Sequence, residues 1–199
     1  MKKMIKQFLI VAMGLLLLVV SGCSDDDVTR EFNVIVKATY VIPTAEQATT
    51  TGTVPVDETN YKLGDQVTLL GNTGNLQRTN GLLFAGWSVP GSTAVHQPGS
   101  SFTIPMTLPS STYTVTARWG YTVTYNGNGS DGGTAPVDGN VYVQAATVTV
   151  AGVGTLTRTG FIFNGWNTAA NGSGTARAAG STFAMGTAHV TLYAQWVPE

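Results

Sequence analysis

One residue of this 199-residue chain has both the type and the setting for covalent chemistry: Cys23. It is the single cysteine, and it follows Val20, Ser21 and Gly22 at the end of an uncharged, almost wholly apolar run from Phe8 to Val20. A thiolate is a nucleophile, so Cys23 can be alkylated to a thioether. The residues directly before it, Ser21 and Gly22, are small and leave the backbone accessible. The other chemistry-bearing residues are scattered. His96 and His189 are the only histidines, and neither has an acidic neighbour in sequence. There is no HExxH, GxSxG or CxxC, so catalysis has no nucleophile–base set to rest on. Asn126, Asn128, Ser130 and Asp131 alternate oxygen ligands, but an EF-hand loop also needs a distal glutamate, and only Asp131 is charged. That segment reads as a turn. No enzymatic activity, cofactor or metal is expected.

The elements around Cys23 decide what its thiol is for. Lys2, Lys3 and Lys6 precede the apolar run. The run is shorter than the about 20 residues a membrane-spanning helix needs, and it suits the central region of a signal peptide covering residues 1–22. Val20-Ser21-Gly22-Cys23 resembles the lipobox of bacterial lipoproteins. That resemblance implies cleavage before Cys23, acylation of Cys23 (palmitate among the acyl chains) and attachment to a membrane. Two or three chains anchor stably where one is marginal. Ser24-Asp25-Asp26-Asp27 resembles the export signal of Bacteroidetes lipoproteins. It implies the cell envelope, with the outer membrane and cell surface as destination; on charge alone, residues 23–31 are a solvated acidic tether.

Past residue 22 the chain holds seven basic and eleven acidic residues, a formal charge of −4. The four arginines beyond residue 31 lie far apart, so no basic patch exists to engage phosphates, and nucleic acid is not an expected partner. With no second cysteine, stability has to come from a packed core and sheet hydrogen bonds. Charged residues are sparse at 11%, while Thr, Val and Gly abound. Such a composition favours strands and turns.

An internal repeat organises the rest. Thr53-Val54-Pro55-Val56-Asp57 matches Thr134-Ala135-Pro136-Val137-Asp138, and Tyr61 matches Tyr142. Leu76-Gln77-Arg78-Thr79 matches Leu156-Thr157-Arg158-Thr159. LLFAGW ending at Trp87 matches FIFNGW ending at Trp166, and Thr116–Trp119 matches Tyr193–Trp196. The first copy has the longer opening loop: twelve residues separate Tyr40 from Thr53, against eight between Tyr125 and Thr134. Phe32–Tyr40, Tyr113–Trp119, Tyr121–Tyr125 and Leu192–Trp196 alternate apolar with mostly polar residues. That period of two describes half-buried antiparallel strands.

TRTGFIFNGW (157–166) and LYAQW (192–196) resemble the Listeria–Bacteroides repeat, also called the internalin B-repeat. The motif residues are Arg158, Gly160, Phe163, Gly165, Trp166, Tyr193 and Trp196. The first copy departs from the pattern, with an inserted residue in RTNGLLFAGW (78–87) and no Leu-Tyr pair before Trp119. The resemblance implies a β-rich α+β chain of two tandem β-grasp-like domains, 32–119 and 120–197, each a small mixed sheet with at most a short helix. It implies a surface protein and no enzyme. Trp87, Trp119, Trp166 and Trp196 are then core residues under the sheets; the other reading makes them stacking platforms for sugars. Arg78 and Arg158 brace turns or meet a partner. The expected function is presentation of repeats for protein interaction or adhesion. A glycan-binding module of a nutrient-capture system and a passive spacer are the alternatives.

Overall fold

The computed structural model describes residues 34–107 and 111–199. The leader, Cys23 and the acidic tether lie outside them. The first half contains β1 (Lys37–Val41), α1 (Thr44–Gln47), β2 (Thr50–Thr51), β3 (Gln66–Thr68), β4 (Gln77–Arg78), β5 (Leu83–Ser88), β6 (Ser101–Thr103) and β7 (Thr112–Gly120). The second contains β8 (Val123–Asn126), β9 (Thr147–Thr149), β10 (Phe161–Asn167), β11 (Ala176–Arg177), β12 (Thr182–Ala184) and β13 (Val190–Pro198). The chain is β-rich, and the four-residue α1 is the one helix among the described residues.

Alternating side chains make β7 the central strand of its sheet. Tyr113, Val115, Ala117 and Trp119 point into the core while Thr112, Thr114 and Arg118 face out. The sheet order is β1-β7-β5, and in the second half β11-β10-β13-β8. β5 runs antiparallel to β7, and β10 to β13. The outer pairs depart from expectation: β1 is parallel to β7, and β8 to β13. Alternation reports that one face of a strand is buried and is silent on the direction of its neighbour. The long chain between the two strands gives the crossover that a parallel pair requires. Both sheets are therefore mixed. β3 with β6 and β9 with β12 add matching antiparallel ladders.

Each central motif carries a bulge. The register slips between Phe84 and Gly86 against β7, and between Phe163 and Trp166 against β13. Gly86 (φ 131°) and Gly165 (φ 96°) supply backbone that L side chains rarely adopt. Residues three apart on a regular strand face opposite sides. The extra residue of the bulge turns Phe84 and Trp87 to the same side, with ring centroids 4.8 Å apart; Phe163 and Trp166 stand at 5.2 Å. The Gly-Trp step of the sequence motif thus delivers its tryptophan to the core.

Two separate clusters result. One gathers Val36, Tyr40, Val67, Leu69, Leu76, Trp87, Ile104, Tyr113 and Val115. The other gathers Val123, Tyr125, Val148, Val150, Leu156, Trp166, Met185 and Leu192.

Candidate functional site

Trp87 and Trp166 are 0% and 1% exposed. Trp87 Nε1 donates to Leu70 O and Trp166 Nε1 to Ala151 O, each at 2.9 Å. Tyr40 and Tyr125 meet them edge-on at 4.8 and 4.7 Å. The two tyrosine hydroxyls accept from the next backbone N–H groups, Leu70 N at 2.9 Å and Ala151 N at 2.8 Å. Burial pushes both phenols above their ordinary value; the backbone hydrogen bond opposes this in part. Tyrosine and tryptophan together bind one stretch of chain, 69–71 or 150–152, to the sheet. These four side chains are scaffold, and the role of the tyrosine hydroxyls is one that sequence reasoning missed. Its signal was the matched placement of Tyr40 and Tyr125 at the inward end of the opening strand.

The second tryptophan pair lies at the loop end of each sheet, beside the repeated arginines. Trp119 is buried and Trp196 half-buried. Phe84 and Phe163 stand edge-on to them at 6.2 and 5.8 Å. What completes the cluster differs. In the first half α1 places Glu46 between the two partners: Trp119 Nε1 donates to Glu46 Oε2 at 2.6 Å, and Arg78 Nη1 stands 3.1 Å from the same oxygen. The Arg78 guanidinium lies 5.6 Å from the Trp119 ring centroid. Thr49 and Thr50 hydroxyls donate to Glu46 O and tie the helical turn to β2. In the second half the shorter loop passes directly over the tryptophan, and Trp196 Nε1 donates to Gly127 O at 3.0 Å. Arg158 instead lies over the Phe161 ring at 4.0 Å. Leu156, Arg158, Phe161, Phe163 and Trp196 line an open groove of about 310 Å³.

The 126–133 segment is a turn held by its own polar side chains. Asn126 Oδ1 accepts Asn128 N–H at 2.8 Å, and Asn128 Nδ2 donates to Ala170 O and Ala194 O, both at 2.8 Å. Asp131 accepts Thr159 N–H at 2.8 Å. That bond, the Thr159 hydroxyl and the nearby Arg158 charge hold its exposed carboxyl below the usual range. No group of three or more His, Cys, Asp or Glu stands together among the described residues. Gly160 (φ 74°) makes the turn before β10, and Tyr193 pairs with Asn167 across β10 and β13.

The two histidines are not equivalent. His96 is half-buried, and its backbone pairs with that of Trp87. His189 bridges the halves: Thr122 N–H donates to its Nδ1 at 3.1 Å, and its Nε2 stands 3.2 Å from Gly81 O. With Nδ1 accepting, the ring proton sits on Nε2. His189 therefore joins the two halves through both ring nitrogens.

The fold and these clusters define a β-rich chain, with almost no helix among the described residues, whose motif residues form a bulged strand of a mixed sheet. Residues 121–195 match the model of the Listeria-Bacteroides repeat domain, and such a domain is present there. Two relatives come from Evansella cellulosilytica. One, which carries the name of a Gly-rich membrane protein, is 37% identical over 150 residues, covering 73% of this chain and 17% of its own length. The other, which carries the name of a membrane protein, is 45% identical over 86 residues, 42% of this chain and 13% of its own. The chain thus spans less than a fifth of either relative. No solved structure matches the chain. No helix among the described residues is long and apolar enough to cross a membrane.

Proposed function

We propose that this is a lipid-anchored cell-envelope protein, cut before Cys23, that presents two non-catalytic β-grasp-like repeats at the outer membrane and cell surface for protein interaction or adhesion. The observation that carries the reading is the identified repeat domain at 121–195 together with the retracing of its strand pairing by residues 34–120. Both copies share the parallel edge pair, the bulged strand and the buried Tyr–Trp contact. The names of the two relatives support a membrane association. Lipid on Cys23 supplies the attachment.

A protein partner is favoured over a glycan by what the surface offers. Sugar recognition leans on exposed aromatic faces, and three of the four tryptophans are buried. The large apolar side chains that stand out in solvent are aliphatic, Val56, Met106, Val137 and Ile162 among them. A glycan array probed with residues 28–199 tests the alternative, and specific binding there would displace the protein reading. Replacing Cys23 by Ser should move the protein from the membrane fraction to the soluble one; retention in the membrane would refute lipid anchoring. Protease treatment of intact cells should remove the repeats, and full protection would refute surface exposure.

A further inference from the structure

The two halves meet without a linker. Gly120 is the last residue of β7 and pairs with Leu83 on β5. The next residue, Tyr121, already belongs to the second half, where it exchanges two backbone hydrogen bonds with Tyr142, both at 2.8 Å. Gly120 is buried, and an added Cβ there would run into the Tyr142 carbonyl and crowd Val141. The end of the first sheet thus stands directly on backbone of the second half. A second tie lies away from this covalent joint. His189 sits just before β13, and its ring stands edge-on to Tyr121 at 5.6 Å. The Thr122 N–H donates to its Nδ1 at 3.1 Å, and the Thr122 hydroxyl lies 2.9 Å from the same nitrogen. Its Nε2 faces Gly81 O, in the turn before β5, at 3.2 Å.

We infer that Gly120 and His189 clasp the two halves into one rigid body, a device built into the fold that fixes their relative orientation. Domains joined by a linker move against each other by default. Here the torsions of two successive residues are the only covalent hinge. Each of the two is held on its own side, Gly120 by the ladder with β5 and Tyr121 by Tyr142. A single hinge still permits rotation about its axis. A tie displaced from that axis removes the rotation, and His189 is such a tie. With Nδ1 accepting from Thr122, the ring is oriented and its Nε2 proton is aimed at Gly81 O. Leu82 and Trp119 face Tyr121 and Val143 across a cleft of about 440 Å³. That cleft is room into which the halves would fold if the tie were absent. A partner that touches both halves meets them as one surface and does not have to order them on binding. The clasp is independent of what the chain binds.

The test measures distances between spin labels in the full chain carrying Cys23→Ser, so that the introduced cysteines are the only thiols. Thr39→Cys with Thr182→Cys reports across the halves, and Thr124→Cys with Thr182→Cys reports within the second half. All three sites are exposed positions on strands. The distribution across the halves should be as narrow as the one within a half. Inserting Gly-Ser-Gly between Gly120 and Tyr121 supplies the freely moving reference, since three such residues span about 10 Å, and the width should grow by roughly that amount. His189→Ala should widen the distribution across the halves and leave the one within a half unchanged. Gly120→Val should shift the mean distance across the halves, with Gly120→Ala as the milder form should the larger side chain prevent folding. A parent distribution as wide as that of the insertion overturns the rigid body. An unchanged width in His189→Ala overturns the clasp, because His189 is exposed and belongs to neither core, so its replacement leaves both halves folded. An unchanged mean in the folded Gly120 variants overturns the part assigned to Gly120.

Discussion

Replacing Trp166 by Phe tests whether the repeated tryptophan works through packing and its single hydrogen bond. The side chain is 1% exposed, touches Tyr125 at 4.7 Å and Phe163 at 5.2 Å, and donates to Ala151 O at 2.9 Å. Phenylalanine keeps a ring against both neighbours. It removes the donor and leaves Ala151 O without its partner, at about 1 kcal/mol. It also leaves a void where the larger indole had been, at about 1–2 kcal/mol. The sum of about 2–3 kcal/mol lowers the melting temperature of a unit this size by roughly 10–20 °C. Trp87→Phe removes the same two things from the other core, the bond to Leu70 O and the ring volume against Tyr40 and Phe84. The two cores share no residue, so the double variant should lose the sum of the single losses to within about 0.5 kcal/mol. Urea denaturation followed by near-ultraviolet circular dichroism measures all three. Trp196→Phe is the internal control, since its ring is half-buried and its loss should be near 1 kcal/mol, the hydrogen bond to Gly127 O. A loss below about 0.5 kcal/mol for Trp166→Phe, or an equal loss for Trp196→Phe, would refute this account of the motif.

Tyr40→Phe and Tyr125→Phe each leave a backbone N–H, of Leu70 or Ala151, without its acceptor, and each should cost about 1–3 kcal/mol by the same denaturation assay. The pH dependence follows from the same hydroxyls. Burial raises the folded-state pKa of Tyr40, Tyr113 and Tyr125 above 10.0. Their contribution is complete below the unfolded value and is lost as pH rises through the folded one. Stability should therefore fall on the alkaline side, and less steeply in the double Tyr→Phe variant. Gly133→Ala should be severe, at about 2 kcal/mol or more: Gly133 has φ 73°, and an added Cβ would run into the carbonyl of Thr155. Gly160→Ala has a similar φ of 74° with open space around it, and should cost about 1 kcal/mol in the same measurement.

The strands and core were legible because their signals are local and doubled. Alternation at Tyr113–Trp119 and at Leu192–Trp196 marks the central strand in each half, and the structure places those residues inward as the pattern demands. The direction of the edge strands was not legible. A strand reads the same from either end, and the parallel pairing of β1 with β7 depends on the path of the chain between them. The bulges were half legible. Gly-Trp is visible as a motif, while the slip that places Phe84 and Trp87 on one side is a matter of ladder register. α1 escaped because four residues give no periodicity, and Glu46 became meaningful only when its distance to Trp119 was known. The role of His189 was hidden for the same reason. Its partners are Thr122 and Gly81, and the chain separates it from Gly81 by 108 residues.

The difference between the halves is concentrated in the loop after the opening strand. Buried positions are conserved in kind from one copy to the other: tyrosine on tryptophan, a bulge glycine, a hydroxyl on a backbone N–H. A core packed to that degree tolerates little change in volume. The loop after the opening strand has no such constraint, since closing it with four more or fewer residues costs little. In one copy that freedom is used to supply a helical turn and a carboxylate, which closes the Arg78–Trp119 corner from within. In the other, the shorter loop satisfies Trp196 with a backbone carbonyl, and Arg158 lies over Phe161 with the Asp131 carboxylate nearby. Removing the guanidinium separates them by stability: Arg78→Gln should destabilise by about 1–2 kcal/mol, because Glu46, two-thirds buried, loses its charge partner. Arg158→Gln, which breaks no ion pair, should stay within about 0.5 kcal/mol of the parent. Equal losses at the two arginines would refute the reading that only the first corner depends on an ion pair.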